Sequence, residues 1–201
     1  MRKKKKTAIF IILIALMIFV INLKPIGRMM FPLKYYDYIV KYSKEYNLSP
    51  FLVASVIKVE SNFEKDAVSV KNARGLMQLT PSTAKWASEQ MKLEDFNVDM
   101  LHEPMLNIRM GCWYLNNLKE EFGSDMEIVL AAYNGGRGNV KKWLNNYENS
   151  KNGVDLHYIP FEETDKYVKK VQVNYNIYKF LYTDDNDYVS LIKQVILNYF
   201  S

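Results

Sequence analysis

From residue 34 onward the apolar residues recur every three or four positions almost to the end of the chain, and glycine and proline are few. A strand buries one face by alternation, whereas a helix buries a stripe of residues three to four apart, so this pattern excludes a sheet-built fold and predicts an all-α domain. The spacing predicts helices over roughly residues 35–46, 50–61, 81–91, 104–122, 126–133, 138–146 and 164–181. Local signals agree with several of these bounds. Ser49 before Pro50 and Thr80 before Pro81 each read as an N-cap followed by proline at the first helical position, and Gly123 suits the end of the longest helix. A further amphipathic stretch, YVSLIKQVILNYF, follows the TDDND turn, with Asp187 as its expected cap.

The chain opens MRKKKK and continues TAIFIILIALMIFVINL from Thr7 to Leu23, in which no residue is charged and only Thr7 and Asn22 are polar. As a helix this run rises about 25 Å against a hydrocarbon core of about 30 Å, which makes it a short transmembrane anchor. The exit from this run, Ile21 to Ile26, contains none of the small side chains of a cleavage site, so the anchor is expected to stay attached. Arg2 and Lys3 to Lys6 hold the N-terminus in the cytoplasm by the positive-inside rule. The expected organisation is a cytoplasmic basic tail at 1–6, a signal anchor at 7–23, a linker at 24–33, a folded domain at 34–182 and a C-terminal amphipathic helix at 183–201. Localisation follows: a single-pass protein of the cell membrane with its domain outside the cytoplasm.

The formal net charge of +5 is therefore a topology signal, because removing those five cations leaves 22 basic and 22 acidic residues. A neutral exterior domain argues against nucleic acid as a partner. The lysine pairs at 141–142 and 169–170 read as solvated helix faces. Cys112 is the only cysteine, which rules out an intrachain disulfide, and it sits in the helical pattern NIRMGCWYLNNL as a structural thiol. His102 and His157 are the only histidines and no HExxH or Cys/His cluster occurs, so no metal or other cofactor is expected. Most aromatics at helical spacing, Trp113 and Tyr175 among them, are expected in the core.

In VIKVESNF, residues 56–63, one carboxylate continues an apolar face. Leu52, Val56 and Glu60 are four apart and share a stripe, while Lys58 points elsewhere. Glu60 also falls in the last helical turn, where the negative end of the helix dipole disfavours an anion. Both effects raise its pKa toward the range in which a carboxylic acid donates a proton near neutrality. A frayed helix end with Glu60 turned to solvent is the plainer alternative.

Glu60-Ser61, then Gly75-Leu76-Met77-Gln78, then Ala132-Tyr133-Asn134-Gly135-Gly136, and finally IPFEETDKYVKKV follow one another in order. In this the chain resembles the soluble lytic transglycosylase catalytic domain, a lysozyme-like helical fold acting on peptidoglycan, over about residues 34–182. The resemblance implies that Glu60 is the acid/base, that Gln78, Tyr133 and Asn134 line the sugar cleft, that Ser69 stands near the reacting sugar and that Glu163 is the acid of the last motif. The residue types suit the task. Gly75 permits close backbone approach to a ligand, Gln78 offers donor and acceptor, and tyrosine rings offer flat apolar surface with a hydroxyl. Leu76 and Met77 read as packing.

Glycosidases ordinarily use two carboxylates. Glu64 and Asp66, the only acids soon after Glu60, fall in the polar stretch FEKDAVSVKN, which reads as a solvated loop. The resemblance implies one carboxylate used twice, with the muramic acid C6 hydroxyl closing onto C1 in place of water. A lysozyme-like hydrolase using Asp66 or Glu64, and an inactive wall-binding scaffold, stay open beside it; a peptidase built on Cys112 and His157 is a weaker third. The partners implied are peptidoglycan glycan strands, and the membrane through the N-terminal helix.

Overall fold

The computed structural model describes residues 23–183, together with Ile12. The chain divides into a unit over Lys34–Tyr178 and a smaller one that joins the residues up to Leu33 with those from Lys179 onward. The larger unit is helical: α1 Tyr36–Glu45, α2 Pro50–Ser61, α3 Pro81–Gln90, a 3-10 turn Val98–His102, α4 Pro104–Phe122, α5 Met126–Gly135, α6 Arg137–Leu144, and α7 Glu162–Tyr182, whose last turn runs into the smaller unit. Each expected helix in this region is present, its ends displaced by no more than two residues. Among the described residues, strand-like pairing is confined to the isolated bridges Val68 to Arg74 and Arg74 to Leu79.

The long helix α4 organises the core. Ile108, Met110, Cys112, Leu115 and Leu118 are buried along it, and it packs on α1, α3, α5 and the 3-10 turn. Facing it, α5 buries Ile128 through Ala132, an apolar run that a surface helix would not carry. Each such aliphatic side chain contributes about 1.5–3 kcal/mol when removed from water. Burial also pushes the Cys112 thiol well above its usual range, as suits a structural rather than a nucleophilic cysteine.

The caps follow the sequence in part. Thr80 Oγ1 accepts from the Thr83 amide at 3.2 Å, and Gly123 ends α4 with φ +89°. Ser49, expected to cap α2 with its side chain, makes no such bond; its backbone carbonyl instead accepts from Leu52 and Val53 at 3.0 and 3.2 Å. The core expectation fails for two aromatics. Trp113 is half-buried on the flank of α4, where the Trp86 ring lies tilted against it with centroids 5.1 Å apart, and Tyr175 is half-buried on the rim of an apolar pocket with Leu52 and Leu130. Helical spacing places both on the edge of an apolar stripe, where contact with the core is partial.

In the smaller unit, residues 23–30 are helical, where the sequence reads as a linker. Arg28 Nε donates to the Leu181 carbonyl at 2.8 Å and the Tyr182 hydroxyl donates to the Phe31 carbonyl at 2.8 Å. The expected anchor at 7–23, except Ile12 and Leu23, and the C-terminal stretch with its Asp187 cap lie outside the described residues. Among the described residues no helix is long and apolar enough to cross a membrane.

Candidate active site

Helix α2 ends because Asn62 and Phe63 both take left-handed backbone conformations, with φ of 52° and 65°. That abrupt turn leaves Glu60 in the last turn with its carboxyl only partly exposed. Ser61 fastens the turn to the next segment: its hydroxyl lies 2.8 Å from the Leu76 carbonyl and 3.2 Å from that of Ile57. Burial pushes the Glu60 carboxyl from 4.5 up to about 7, with the charge of Glu163 adding to the rise and the Tyr167 hydroxyl opposing it. The stripe read from the sequence is real, since Leu52 and Val56 are buried below Glu60.

Two tyrosines face this carboxyl. The Tyr133 and Tyr167 phenols are pushed far above their usual range, first by burial and then by the neighbouring Glu60 charge. Tyr133 donates to the Met77 carbonyl at 2.7 Å and its ring lies 5.4 Å from that of Tyr114. The Tyr167 hydroxyl is buried and makes no hydrogen bond of regular geometry among the described residues, although it lies near enough to Glu60 to hold the carboxyl pKa down. A buried donor of that kind is available to a group that gains charge.

The segment 75–79 forms a wall braced from behind. Asn107, wholly buried on α4, accepts from the Met77 amide at 2.7 Å and donates to the Leu101 and Arg74 carbonyls at 2.8 and 3.0 Å. Gly75 has φ +75°, and a Cβ there would stand 2.1 Å from the Leu101 carbonyl oxygen and 2.2 Å from Asn107 Nδ2. The close approach that demands glycine is thus to the protein's own bracing. Gln78 also has a left-handed backbone, φ 47°, and its amide nitrogen donates to the Ala67 and Gly75 carbonyls at 3.1 and 2.9 Å. Both of its donors are engaged, which leaves the side-chain oxygen for other contacts. Leu76 and Met77 are buried, as packing residues should be.

Ser69 serves its own loop, accepting from the Ala73 amide at 3.0 Å through Oγ. No hydrogen bond or charge interaction among the described residues joins it to Glu60. Asn134 accepts from the buried Thr164 hydroxyl at 2.8 Å, which fixes its orientation beside the first turn of α7. There Asn134, Asn139, Glu163 and Lys71 line a depression of about 500 Å³. Glu64 and Asp66 stay exposed; Glu64 lies 4.0 Å from Lys34, and Asp66 lies 3.2 Å from Lys65 and 3.8 Å from His102.

Three residues of this arrangement escape the sequence reading. Tyr167 lies four residues after Glu163 and so on the same face of α7, a spacing that was there to be used. Asn107 is a polar residue inside an apolar stripe, which is a signal of a buried hydrogen-bonding role. Thr164 reads only as a helix start.

Comparison with known proteins identifies a family and a fold. The Transglycosylase SLT domain family model matches residues 37–155, more than half of the chain. The chain is 34% identical over 143 residues to a soluble lytic murein transglycosylase of Salmonella typhimurium, covering 70% of this chain and 22% of that protein. It is 36% identical over 118 residues to a membrane-bound lytic murein transglycosylase C of Haemophilus ducreyi, covering 54% and 32%. Among solved structures, the 70 kDa soluble lytic transglycosylase of Escherichia coli superposes with a TM-score of 0.70 at 28% identity, over 79% of this chain and 26% of that one. This chain thus spans about a fifth to a third of the length of these relatives.

Proposed function

The chain belongs to the Transglycosylase SLT domain family, and on that premise we propose that it is a peptidoglycan lytic transglycosylase, cleaving the β-1,4 linkage from N-acetylmuramic acid to N-acetylglucosamine. The observation that carries the reading is the state of Glu60: one partly buried carboxyl, pushed up to about 7, with the buried Tyr133 and Tyr167 phenols near enough to feel its charge. Such a group holds its proton near neutral pH and is able to donate it.

In this reading neutral Glu60 gives its proton to the bridging oxygen as the bond from that oxygen to the muramic C1 breaks. The muramic C6 hydroxyl then attacks C1, and its proton passes to the Glu60 carboxylate, which restores the acid. No water is consumed and no cofactor is required. Attack from within the same sugar has a high effective concentration, so a single carboxyl suffices. The Tyr167 hydroxyl steadies Glu60 while it is charged. Tyr133, Asn134 and the Gln78 oxygen line the sugar site, Ser69 shapes its own loop near the reacting sugar, and the charge of Glu163 raises the Glu60 pKa. The surface pairing of Glu64 and Asp66 supports one acid over two, because neither is held where it would direct water against a sugar.

The domain is placed outside the cytoplasm and tethered by the 7–23 anchor, a reading supported by the uncharged run, the cations before it and the resemblance to a membrane-bound relative. Mass spectrometry of products from purified glycan strands tests the activity. The expected ends are 1,6-anhydro-N-acetylmuramic acid, about 18 Da lighter than hydrolysed ends and unchanged by borohydride, since the sugar's own hydroxyl replaces water. Reducible ends from the first turnovers would overturn the transglycosylase step in favour of hydrolysis.

A further inference from the structure

The helix over residues 23–30 has two unlike sides. At about 100° per residue, Lys24, Gly27 and Arg28 fall on one side, while Leu23, Ile26, Met29 and Met30 fall within an arc of about 120° on the other. The first side is occupied. A Cβ on Gly27 would stand 2.5 Å from Leu181 Cδ2, so glycine lets the helix lie against that side chain. Arg28 Nε donates to the Leu181 carbonyl at 2.8 Å, and Lys24 Nζ donates to that of Thr183 at 3.4 Å with its ammonium 5.6 Å from the Phe180 ring centroid. The second side is bare: Ile26 is 47% exposed, Met30 67% and Met29 82%.

We propose that this bare face is a lipid-contacting surface, seated at the boundary between headgroups and acyl chains of the membrane that holds the anchor. The proposal rests on the anchor reading given above. The uncharged run from Thr7 ends at Leu23, where this helix is already formed, so a span ending there delivers residues 23–30 to the bilayer surface with no intervening linker. The run alone is short for a bilayer, by about 5 Å. Additional apolar side chains at its exit offset that shortfall. Charge placement agrees: both cations of the segment are drawn to the opposite side by backbone carbonyls, so seating Ile26, Met29 and Met30 among lipids desolvates neither. Methionine, unbranched and polarizable, adapts readily to such an irregular surface.

The test uses the full chain carrying Met29→Cys, reconstituted in vesicles of phosphatidylcholine and phosphatidylglycerol and labelled with a nitroxide. Cys112 is buried with no exposed surface and leaves the label to position 29. Collisions with oxygen, which concentrates in lipid, and with a water-soluble nickel chelate report the surroundings, and Glu94→Cys on an exposed turn gives the aqueous reference. The expected result is high oxygen access and a several-fold loss of nickel access at position 29 relative to position 94. Nickel access equal to the reference, in a chain that still floats with the vesicles, would overturn this inference and leave the anchor standing. Protection from both reagents would overturn it in favour of a second protein surface as the cover. A chain that does not float with vesicles overturns the anchor itself, and this inference with it.

Discussion

Glu60 is held between opposing influences, and each gives a measurable consequence. In the proposed role of general acid it must be protonated in the free protein, so kcat/KM should fall as pH rises through about 7. Glu60→Gln keeps the shape and cannot donate, and should lose about 10²- to 10⁴-fold in turnover. The same substitution should stabilise the fold at alkaline pH. Because the folded pKa is raised from 4.5 to about 7, the native state binds the extra proton between these values. The parent therefore loses stability as pH rises through that window, by about 3 kcal/mol in all. Thermal unfolding at pH 8 should favour Glu60→Gln, and the advantage should vanish at pH 4. The neighbours should move the alkaline limb of activity in opposite directions. Tyr167→Phe removes the influence that lowers the pKa and should shift it upward; Glu163→Gln removes a like charge and should shift it downward. Glu163 is the acid whose charge reaches Glu60, so a loss of turnover in Glu163→Gln as deep as in Glu60→Gln would revive a two-carboxylate hydrolase with Glu163, rather than Asp66 or Glu64, as the partner. At this scale the position of Glu60 was legible because a charge on an apolar stripe conflicts with its surroundings. Tyr167 was legible only through its spacing of four from Glu163, because a tyrosine on a helix that buries one face otherwise looks like any core residue.

Among the elements, α4 does more than fill the core. It holds the 75–79 wall in place through Asn107, whose three bonds reach Met77, Arg74 and Leu101. Asn107→Leu would leave the Met77 amide and the Leu101 carbonyl without this partner, and the Arg74 carbonyl with the Leu79 amide alone, at about 1–3 kcal/mol for each orphaned group that water cannot reach. Urea denaturation should show a loss of at least about 2 kcal/mol. Activity should fall further than stability alone explains, because Tyr133 is anchored on the Met77 carbonyl of the same wall. The helices themselves were legible from periodicity and from the Thr80-Pro81 and Gly123 signals, which are local. The wall was not, since it depends on left-handed turns at Asn72, Gly75 and Gln78 and on a partner some 30 residues away in sequence. Gly75 illustrates the difference: its need for a positive φ is readable as a possibility, but the atom that crowds it, the Leu101 carbonyl oxygen, is set by tertiary packing.

At the scale of the whole molecule, the sequence separates two jobs that composition alone would blur. A +5 chain reads as a binder of polyanions until the five cations before Thr7 are set aside, after which the remainder is balanced in charge. In the proposed topology those cations set the orientation: a short tail of Arg2 and Lys3 to Lys6 resists translocation, so the segment after Leu23 would be the part that crosses. On that proposal the folded unit would stand on the side where glycan strands are, and its exposed lysines and arginines would give trypsin many cleavage points once an enclosing wall is removed. We expect trypsin added to intact, wall-stripped cells to digest the domain and leave a membrane-embedded stub carrying the N-terminus, and we expect the same chain to be protected in vesicles sealed with the outer face inward. A domain protected in the stripped cells would reverse the orientation. A mature chain beginning near Lys24 would show that the apolar run is removed as a signal peptide, which would release the domain from the membrane while leaving the chemistry at Glu60 untouched.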